Sequence, residues 1–350
     1  MASADIRDGL SYDDVMLVPK RSPVDSRSEV DLTTTLAPGL ELSVPITSAA
    51  MDTVTETDLA IALSEQGGLG VLHRFLAVDE QARQVRDVTD VGERVGAAVG
   101  INEDHFERAT ALVEAGVDAL VIDVAHGHME RCLAVVEELA ETFPETALVA
   151  GNVATAAGTR DLARAGADCV KVGVGPGSHC TTREKTGAGV PQLTAVMDAA
   201  AVADDLGVSL IADGGIRTSG EIVKALMAGA DAVMLGGLLS GTTEAPGAVV
   251  ERDGGTYKVS RGMASKEADA ERTDKESLEL THAEGVAGLT PHRGSVAEVV
   301  AELESGVRSG ISYCGAATVS GARANAEFVR VSDGAKSREG VHAGVVERGD

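Results

Sequence analysis

Eight short apolar runs, separated by seven amphipathic stretches, constrain this chain more than any other feature. The runs fall at 45–51, 68–73, 95–99, 119–124, 147–151, 169–174, 208–213 and 232–235. Segments of helical period lie between them at 56–66, 78–88, 104–115, 129–143, 156–165, 191–206 and 220–228. A strand that is apolar throughout has to be buried on both faces, and a parallel sheet covered by helices provides that burial. Eight such units predict an α/β fold closed into a (β/α)8 barrel of the TIM type rather than an open Rossmann sheet. No G-x-G-x-x-G follows the first strand, which argues the same way. Aromatic residues are only 2% of the chain and Trp is absent, so the core must be Val, Leu, Ile and Ala.

In such a barrel the loops leaving the C-terminal strand ends build the site. Here those ends carry Met51-Asp52, His73-Arg74, Asp123 with His126 and His128, Gly151-Asn152, Asp213-Gly214-Gly215 and Gly236-Gly237. Glycine pairs after the last two strands are where barrels of this kind seat a phosphate. The sixth end is the most unusual: Gly173, Gly175 and Gly177 lead to a single thiol, Cys180, followed by Thr181, Thr182, Arg183 and Lys185. Glycines at this density bring main-chain groups close to a ligand, and the two cations favour a nucleophilic thiolate.

The rest of the chain divides around the barrel. Residues 1–44 form an N-terminal segment whose stretch 10–14 reads as a cap, and residues 45–331 form the barrel. A short strand is expected at 257–263, a polar flap without internal structure at 264–283, a last helix at 296–306 and a loose tail at 332–350. Acids outnumber bases 55 to 30, a formal net charge of −25, which repels nucleic acid and anionic membranes and suits a halophilic interior rich in salt. No run approaches the roughly 18 apolar residues of a membrane span, and residues 1–14 are too polar for a signal peptide, so a cytoplasmic protein is expected. The four cysteines, Cys132, Cys169, Cys180 and Cys314, have neither disulfide nor zinc spacing.

Taken together these stretches resemble the inosine-monophosphate dehydrogenase and guanosine-monophosphate reductase family over nearly the whole chain. The matching segments are 9–19 (GLSYDDVMLVP), 48–56 (SAAMDTVTE), 122–128 (IDVAHGH), 151–155 (GNVAT), 173–183 (GVGPGSHCTTR), 212–216 (ADGGI), 261–263 (RGM) and 313–315 (YCG). The resemblance implies that Cys180 attacks the purine of a mononucleotide, assisted by Thr182, Arg272 and Glu284. It implies substrate contacts from Met51, Ser178, Asp213, Gly214, Gly215, Gly236, Gly237, Gly262, Met263 and Glu284. It further implies a nicotinamide cofactor, NAD or NADPH, beside His73, Asp123, Asn152 and Gly173. A potassium ion would rest on the carbonyls of Gly175, Gly177 and Cys180, and the assembly would be a homotetramer.

The same resemblance separates two reactions. Oxidation of inosine monophosphate with NAD needs an activated water, which the dehydrogenases obtain from an Arg-Tyr pair in the flap. Arg272 stands at that place but Thr273 follows it. His126-Gly127-His128, Ala154 and Val190-Pro191-Gln192 look like the dehydrogenase; Gly236-Gly237 and the short flap look like the NADPH-dependent reductase. Ser260 replaces a tyrosine offered to the phosphate, and His179 an apolar residue beside the thiol. Dehydrogenase is the expected activity, reductase the alternative, and a non-catalytic nucleotide-binding paralogue is a third reading. A flavin-dependent barrel would share the phosphate seats but give no reason for Cys180. Where many dehydrogenases insert a regulatory CBS pair this chain has only residues 89–94, so no nucleotide regulation through such a pair is expected.

Overall fold

The computed structural model describes residues 6–274 and 284–339. Eight parallel strands form the centre: β1 (Ile46–Ser48), β2 (Gly70–Leu72), β3 (Val95–Val99), β4 (Ala119–Asp123), β5 (Ala147–Val153), β6 (Cys169–Val172), β7 (Ser209–Asp213) and β8 (Ala232–Leu235). Neighbours pair in chain order, β8 returns to β1 with Val233 opposite Ile46, and a bridge between Thr47 and Leu69 closes the ring. Outside lie α1 (Thr57–Glu65), α2 (Val78–Thr89), α3 (His105–Glu114), α4 (Glu130–Thr142), α5 (Ala156–Arg164), α6 (Gln192–Leu206), α7 (Ser219–Met227) and α8 (Val296–Tyr313). The (β/α)8 barrel expected from the alternation is the observed fold.

Strand alternation sorts the core into two layers. Along β4, Leu120 and Ile122 face the helices, whereas Ala119 and Val121 point inward with Val71, Val149, Ile211 and Met234. The inner layer is sealed from below by a hairpin, Thr34–Ala37 and Leu40–Leu42, which turns at Pro38-Gly39. Leu36, Leu40 and Leu42 enter the barrel interior, and Ser209 at the start of β7 donates to the Leu36 carbonyl at 2.5 Å. The N-terminal segment therefore does more than cap the mouth. Among its described residues only Ser11, Tyr12 and Asp13 reach the cavity above, while the hairpin plugs the opposite end.

Three expectations for the downstream half are corrected. The last helix runs past Gly306 to Tyr313, because Gly306 serves close packing rather than termination: a Cβ there would stand 2.2 Å from Ser219 Oγ. The flap is not without structure, since Lys266–Glu271 is a short helix capped by Ser265, whose hydroxyl accepts from the Ala268 amide; residues 275–283, with the remainder of the expected flap, lie outside the described residues. The stretch after Val331 is not loose throughout. Asp333–Glu339 is helical and Lys336 pairs with Asp14 at 3.2 Å, next to the antiparallel pair Val15–Leu17 and Phe328–Arg330. The expected strand near 257–263 is Gly255–Arg261, the middle of a three-stranded sheet with Val249–Arg252 and Ala287–Pro291. α2 ends at Thr89 and β3 begins at Val95, with only a tight turn between them.

Candidate active site

A cavity of about 890 Å³ opens at the C-terminal ends of the strands. Its centre is the loop that leaves β6. Gly173 (φ +155°) and Gly175 (φ +73°) adopt backbone angles reserved for glycine, and a Cβ on Gly173 would lie 2.1 Å from the Asp213 carbonyl. The loop is thus pressed against the end of β7 and rises to an exposed Cys180. Cys180 Sγ donates to Thr182 Oγ1 at 3.1 Å, and Thr182 Oγ1 donates to Glu284 Oε2 at 2.7 Å. Glu284 arrives from the far side of the flap and is fixed by main-chain pairing: Thr181 N donates to Glu284 O at 2.8 Å, and Val286 N to His179 O at 3.1 Å. A thiol, a hydroxyl and a carboxylate in series form a path along which a proton can leave the sulfur.

The cations flanking the thiol in sequence behave differently from expectation. Arg183 is spent as a brace, donating to the carbonyls of Val174 at 3.0 Å and Val190 at 2.7 Å. Burial pushes its pKa down, against the influence of Cys180. Lys185 points to solvent. His179, lowered in pKa by burial, donates or accepts through Nε2 with Ser260 Oγ at 2.9 Å and through Nδ1 with Ser178 Oγ at 3.2 Å.

Beside the thiol lies a buried charge cluster. Lys171, only 1% exposed, donates to Asp123 at 2.6 Å, to Asp213 at 2.8 Å and to the Asn152 side-chain oxygen. Burial alone would lower the lysine pKa, but the two carboxylates outweigh it and raise it. Burial likewise opposes ionisation of Asp123, and Lys171 overcomes it, so the Asp123 pKa is held low. Asn152 Nδ2 also donates to Asp213 Oδ2 at 2.8 Å, so Oδ2 is fully engaged and Oδ1 is the oxygen left to meet a ligand. Opposite, Gly214 (φ +91°) and Gly215 (φ +79°) shape the end of β7. After β8 the amides of Leu239 and Ser240 both donate to Gly236 O, a turn that leaves the Gly236–Gly237 end facing the cavity.

The flap enters through Arg261, which grips Asp52 at 2.7 Å and Glu271 at 2.6 Å. Arg272 is held by Asp274 at 2.6 Å and Asp269 at 3.7 Å, and its guanidinium lies 3.9 Å over the Phe75 ring. Thr273 N donates to Phe75 O at 3.3 Å and its hydroxyl accepts from Ala77 N at 3.1 Å, which fastens the flap to the start of α2.

The cavity brings together Met51, Asp123, Asn152, Gly173, Gly175, Gly177, Ser178, Cys180, Thr182, Asp213, Gly214, Gly215, Gly236, Gly237, Gly262, Met263, Arg272 and Glu284. His73 is the exception. It is 2% exposed behind the wall, with Nδ1 accepting from Phe75 N at 3.2 Å and Nε2 3.4 Å from Glu56, and the next two residues, Arg74 and Phe75, line the cavity instead. His126 and His128 also stay out, the latter paired with Asp161 at 2.9 Å. Several site residues are not evident from the sequence. A lysine inside the buried run Cys169–Val172 is itself a signal, since an unpaired charge there would be costly. Tyr12 OH and Gln192 Oε1 are buried in the wall without a partner among the described residues, which makes them available to a ligand. Among the described residues no cluster of three His, Cys, Asp or Glu side chains suits a metal, so a cation would depend on loop carbonyls. One of these, Gly177 O, accepts Cys180 N at 3.1 Å and keeps one lone pair.

Fold and site together define a (β/α)8 barrel whose cavity holds an exposed loop cysteine between a buried lysine–carboxylate cluster and a glycine-lined turn. Residues 9–342 match the family model described as the IMP dehydrogenase / GMP reductase domain. The chain is 36% identical to the inosine-5'-monophosphate dehydrogenase of Nitrosopumilus maritimus, covering 94% of this chain and 97% of that protein. It is 34% identical to the GMP reductase of Leishmania major, covering 96% and 97%. A solved GMP reductase variant from Trypanosoma brucei in complex with guanosine 5'-monophosphate superposes with a TM-score of 0.93 at 33% identity, covering 97% of this chain and 99% of that one. The chain belongs to the IMP dehydrogenase / GMP reductase family, whose named members are oxidoreductases.

Proposed function

We propose that this protein oxidises inosine 5'-monophosphate to xanthosine 5'-monophosphate with NAD, through a covalent bond between Cys180 and carbon 2 of the purine. The observation that carries this reading is the series Cys180, Thr182, Glu284, which opens into the cavity between the Gly236–Gly237 turn and the Asp123–Asn152 side. The phosphate is received by amides at Gly215, Gly236 and Gly237 with Ser178 alongside, and Asp213 Oδ1 takes the ribose hydroxyls. Met51, whose sulfur is 3.4 Å from where a Cβ on Gly236 would stand, packs on the base. The thiol gives its proton to Thr182, which passes its own to Glu284, and the sulfur adds to the purine. The nicotinamide, when bound beside Asp123, Asn152 and Gly173, supplies the hydride acceptor. Water then adds at the same carbon and the thiolate leaves; Arg272, held at the cavity as a guanidinium by Asp269 and Asp274, positions that water, and the proton it releases passes on to one of these carboxylates.

The cofactor pocket fits the residues present, since the cavity is large enough for a mononucleotide and a nicotinamide side by side. A potassium ion on Gly175, Gly177 and Cys180 carbonyls would stiffen the loop that carries the thiol.

The reverse-sense reading, NADPH-dependent reductive deamination of guanosine 5'-monophosphate, is favoured by one observation. Thr273, where the dehydrogenases place a tyrosine, has its hydroxyl occupied by the Ala77 amide. Following near-ultraviolet absorbance of reduced nicotinamide separates the two: a rise with inosine monophosphate and NAD supports the proposal, and a fall with guanosine monophosphate and NADPH supports the reductase. Cys180→Ala should abolish either signal, and turnover that survives it would refute the covalent route. Arg272→Ala should keep a burst of hydride transfer while steady turnover falls.

A further inference from the structure

Lys258 takes no part in the chemistry proposed for the cavity, yet it is a charge buried to 2% exposure. It projects from the inner face of the strand Gly255–Arg261, and Nζ donates to three main-chain carbonyls: Thr242 at 3.0 Å, Thr243 at 3.1 Å and Ala245. Glu244, the carboxylate whose charge it feels, is turned away to accept the Val296 amide at 2.9 Å. The ammonium therefore has three donors and three carbonyls to match them. Three carbonyls aimed at one point repel each other unless a cation lies between, and rings of carbonyls are how proteins replace the hydration shell of a monovalent ion.

The cage belongs to the turn that builds the anion seat. Leu239 N and Ser240 N donate to Gly236 O, and Thr242 N and Thr242 Oγ1 both return to Leu239 O. Residues 236–242 thus form one coil, its amide end at the cavity and its carbonyl end on Lys258. Two residues further along the same face of the strand, Ser260 Oγ bonds His179 at 2.9 Å and Thr290 Oγ1 at 2.7 Å. One strand holds the seat turn through an ammonium and the cysteine loop through a hydroxyl.

We propose that Lys258 is a tethered monovalent cation: its ammonium fills a carbonyl cage and so holds the Gly236 and Gly237 amides where they meet the phosphate of a purine mononucleotide. It is a positioning residue, and its effect on nucleotide binding rests on the phosphate seat proposed above. Removing the side chain should leave a cage that a free cation of similar size can fill.

The test compares wild type, Lys258→Met and Lys258→Ala in chlorides of ammonium, methylammonium, potassium and tetramethylammonium at equal ionic strength. Calorimetry with inosine 5'-monophosphate and with inosine, and the thermal midpoint, are the readouts. Wild type in each salt accounts for any cation bound at the cysteine loop. Lys258→Met should bind the nucleotide at least tenfold more weakly and inosine unchanged. Lys258→Ala should show the same loss in tetramethylammonium, and should regain most of the affinity and a higher midpoint in ammonium, methylammonium or potassium. Wild-type nucleotide affinity in Lys258→Met, or an alanine variant indifferent to the choice of cation, overturns the proposal. If Lys258→Ala folds only with a small cation present, the proposal stands; if none of the four cations lets it fold, the proposal falls. Should wild type fail to bind the nucleotide at all, the phosphate seat is wrong, while the cation-selective melting still decides the cage.

Discussion

Two side chains show how the site manages ionisation. The thiols of Cys132 and Cys169 are pushed up to about 11 and about 12 by burial, and burial raises that of Cys314 as well, whereas Cys180 is exposed. A haloacetamide at neutral pH should therefore alkylate Cys180 first, and inosine 5'-monophosphate should protect it; peptide mapping that finds Cys169 or Cys314 modified ahead of Cys180 would contradict this. Lys171 governs the neighbouring carboxylates. In the folded chain the Asp123 pKa is depressed, so Asp123 contributes stability that is present above the unfolded value of about 4 and is lost as pH falls through its folded value. Lys171→Met leaves two half-buried carboxylates facing each other with only the charge of Arg74 still acting on Asp123, which should cost roughly 3–5 kcal/mol. It should also flatten the pH response: burial then opposes ionisation of Asp123 without its main partner, so the variant loses less stability than the wild type as pH falls from about 7 to about 5. Denaturant unfolding of both proteins across that range measures the two slopes.

At the level of elements, the flap shows where local sequence stops being informative. Thr273 looks like a lost tyrosine, yet its hydroxyl accepts from Ala77 N, just ahead of α2, while its own amide bonds Phe75. Thr273→Val removes one hydrogen bond of about 1 kcal/mol, enough to shift the docked fraction of the flap about fivefold. Hydride transfer in a single turnover should be unchanged and steady turnover should drop; an equal fall in both would mean that Thr273 acts before the flap docks. The barrel strands are legible because strands buried on both faces are apolar throughout, and their ends shift by up to three residues where the chain turns into site glycines such as Gly173. What the chain hides depends on partners distant in sequence. Gly306 resembles a stop signal until Ser219 of α7 is packed against it, and the helix Asp333–Glu339, exposed except at half-buried Ala335 and Lys336, owes its place to Asp14. His73 and Arg74 are adjacent strand-end residues of similar promise, and only the direction each side chain takes separates a buried spacer from a cavity wall.

Across the whole molecule, charge dominates. The direct passage from α2 to β3 leaves no inserted module there, so ATP and GTP should leave saturated turnover unchanged, and a clear effect of either would point to a regulatory site elsewhere on the barrel. The excess of 25 negative charges should make stability depend on salt. Exposed pairs such as Arg83 with Glu80 and Asp87 lose strength as salt rises, but each is worth only about 0.2–1 kcal/mol. The buried Lys171 cluster is screened far less. Repulsion among the excess acids acts over the entire surface, and it shrinks as the screening length falls from about 10 Å at 0.1 M to about 3 Å at 1 M. With 55 acids to 30 bases, at least 25 acids have no base to pair with one to one, so added potassium chloride should raise the melting temperature across that interval. Removing charge should do the same work as screening it. Glu137→Gln with Glu141→Gln on the exposed face of α4 should raise the midpoint at low salt and flatten its rise with salt. A midpoint that fell with potassium chloride, or a double variant with an unchanged salt slope, would show that ion pairs rather than net repulsion set the stability of this fold.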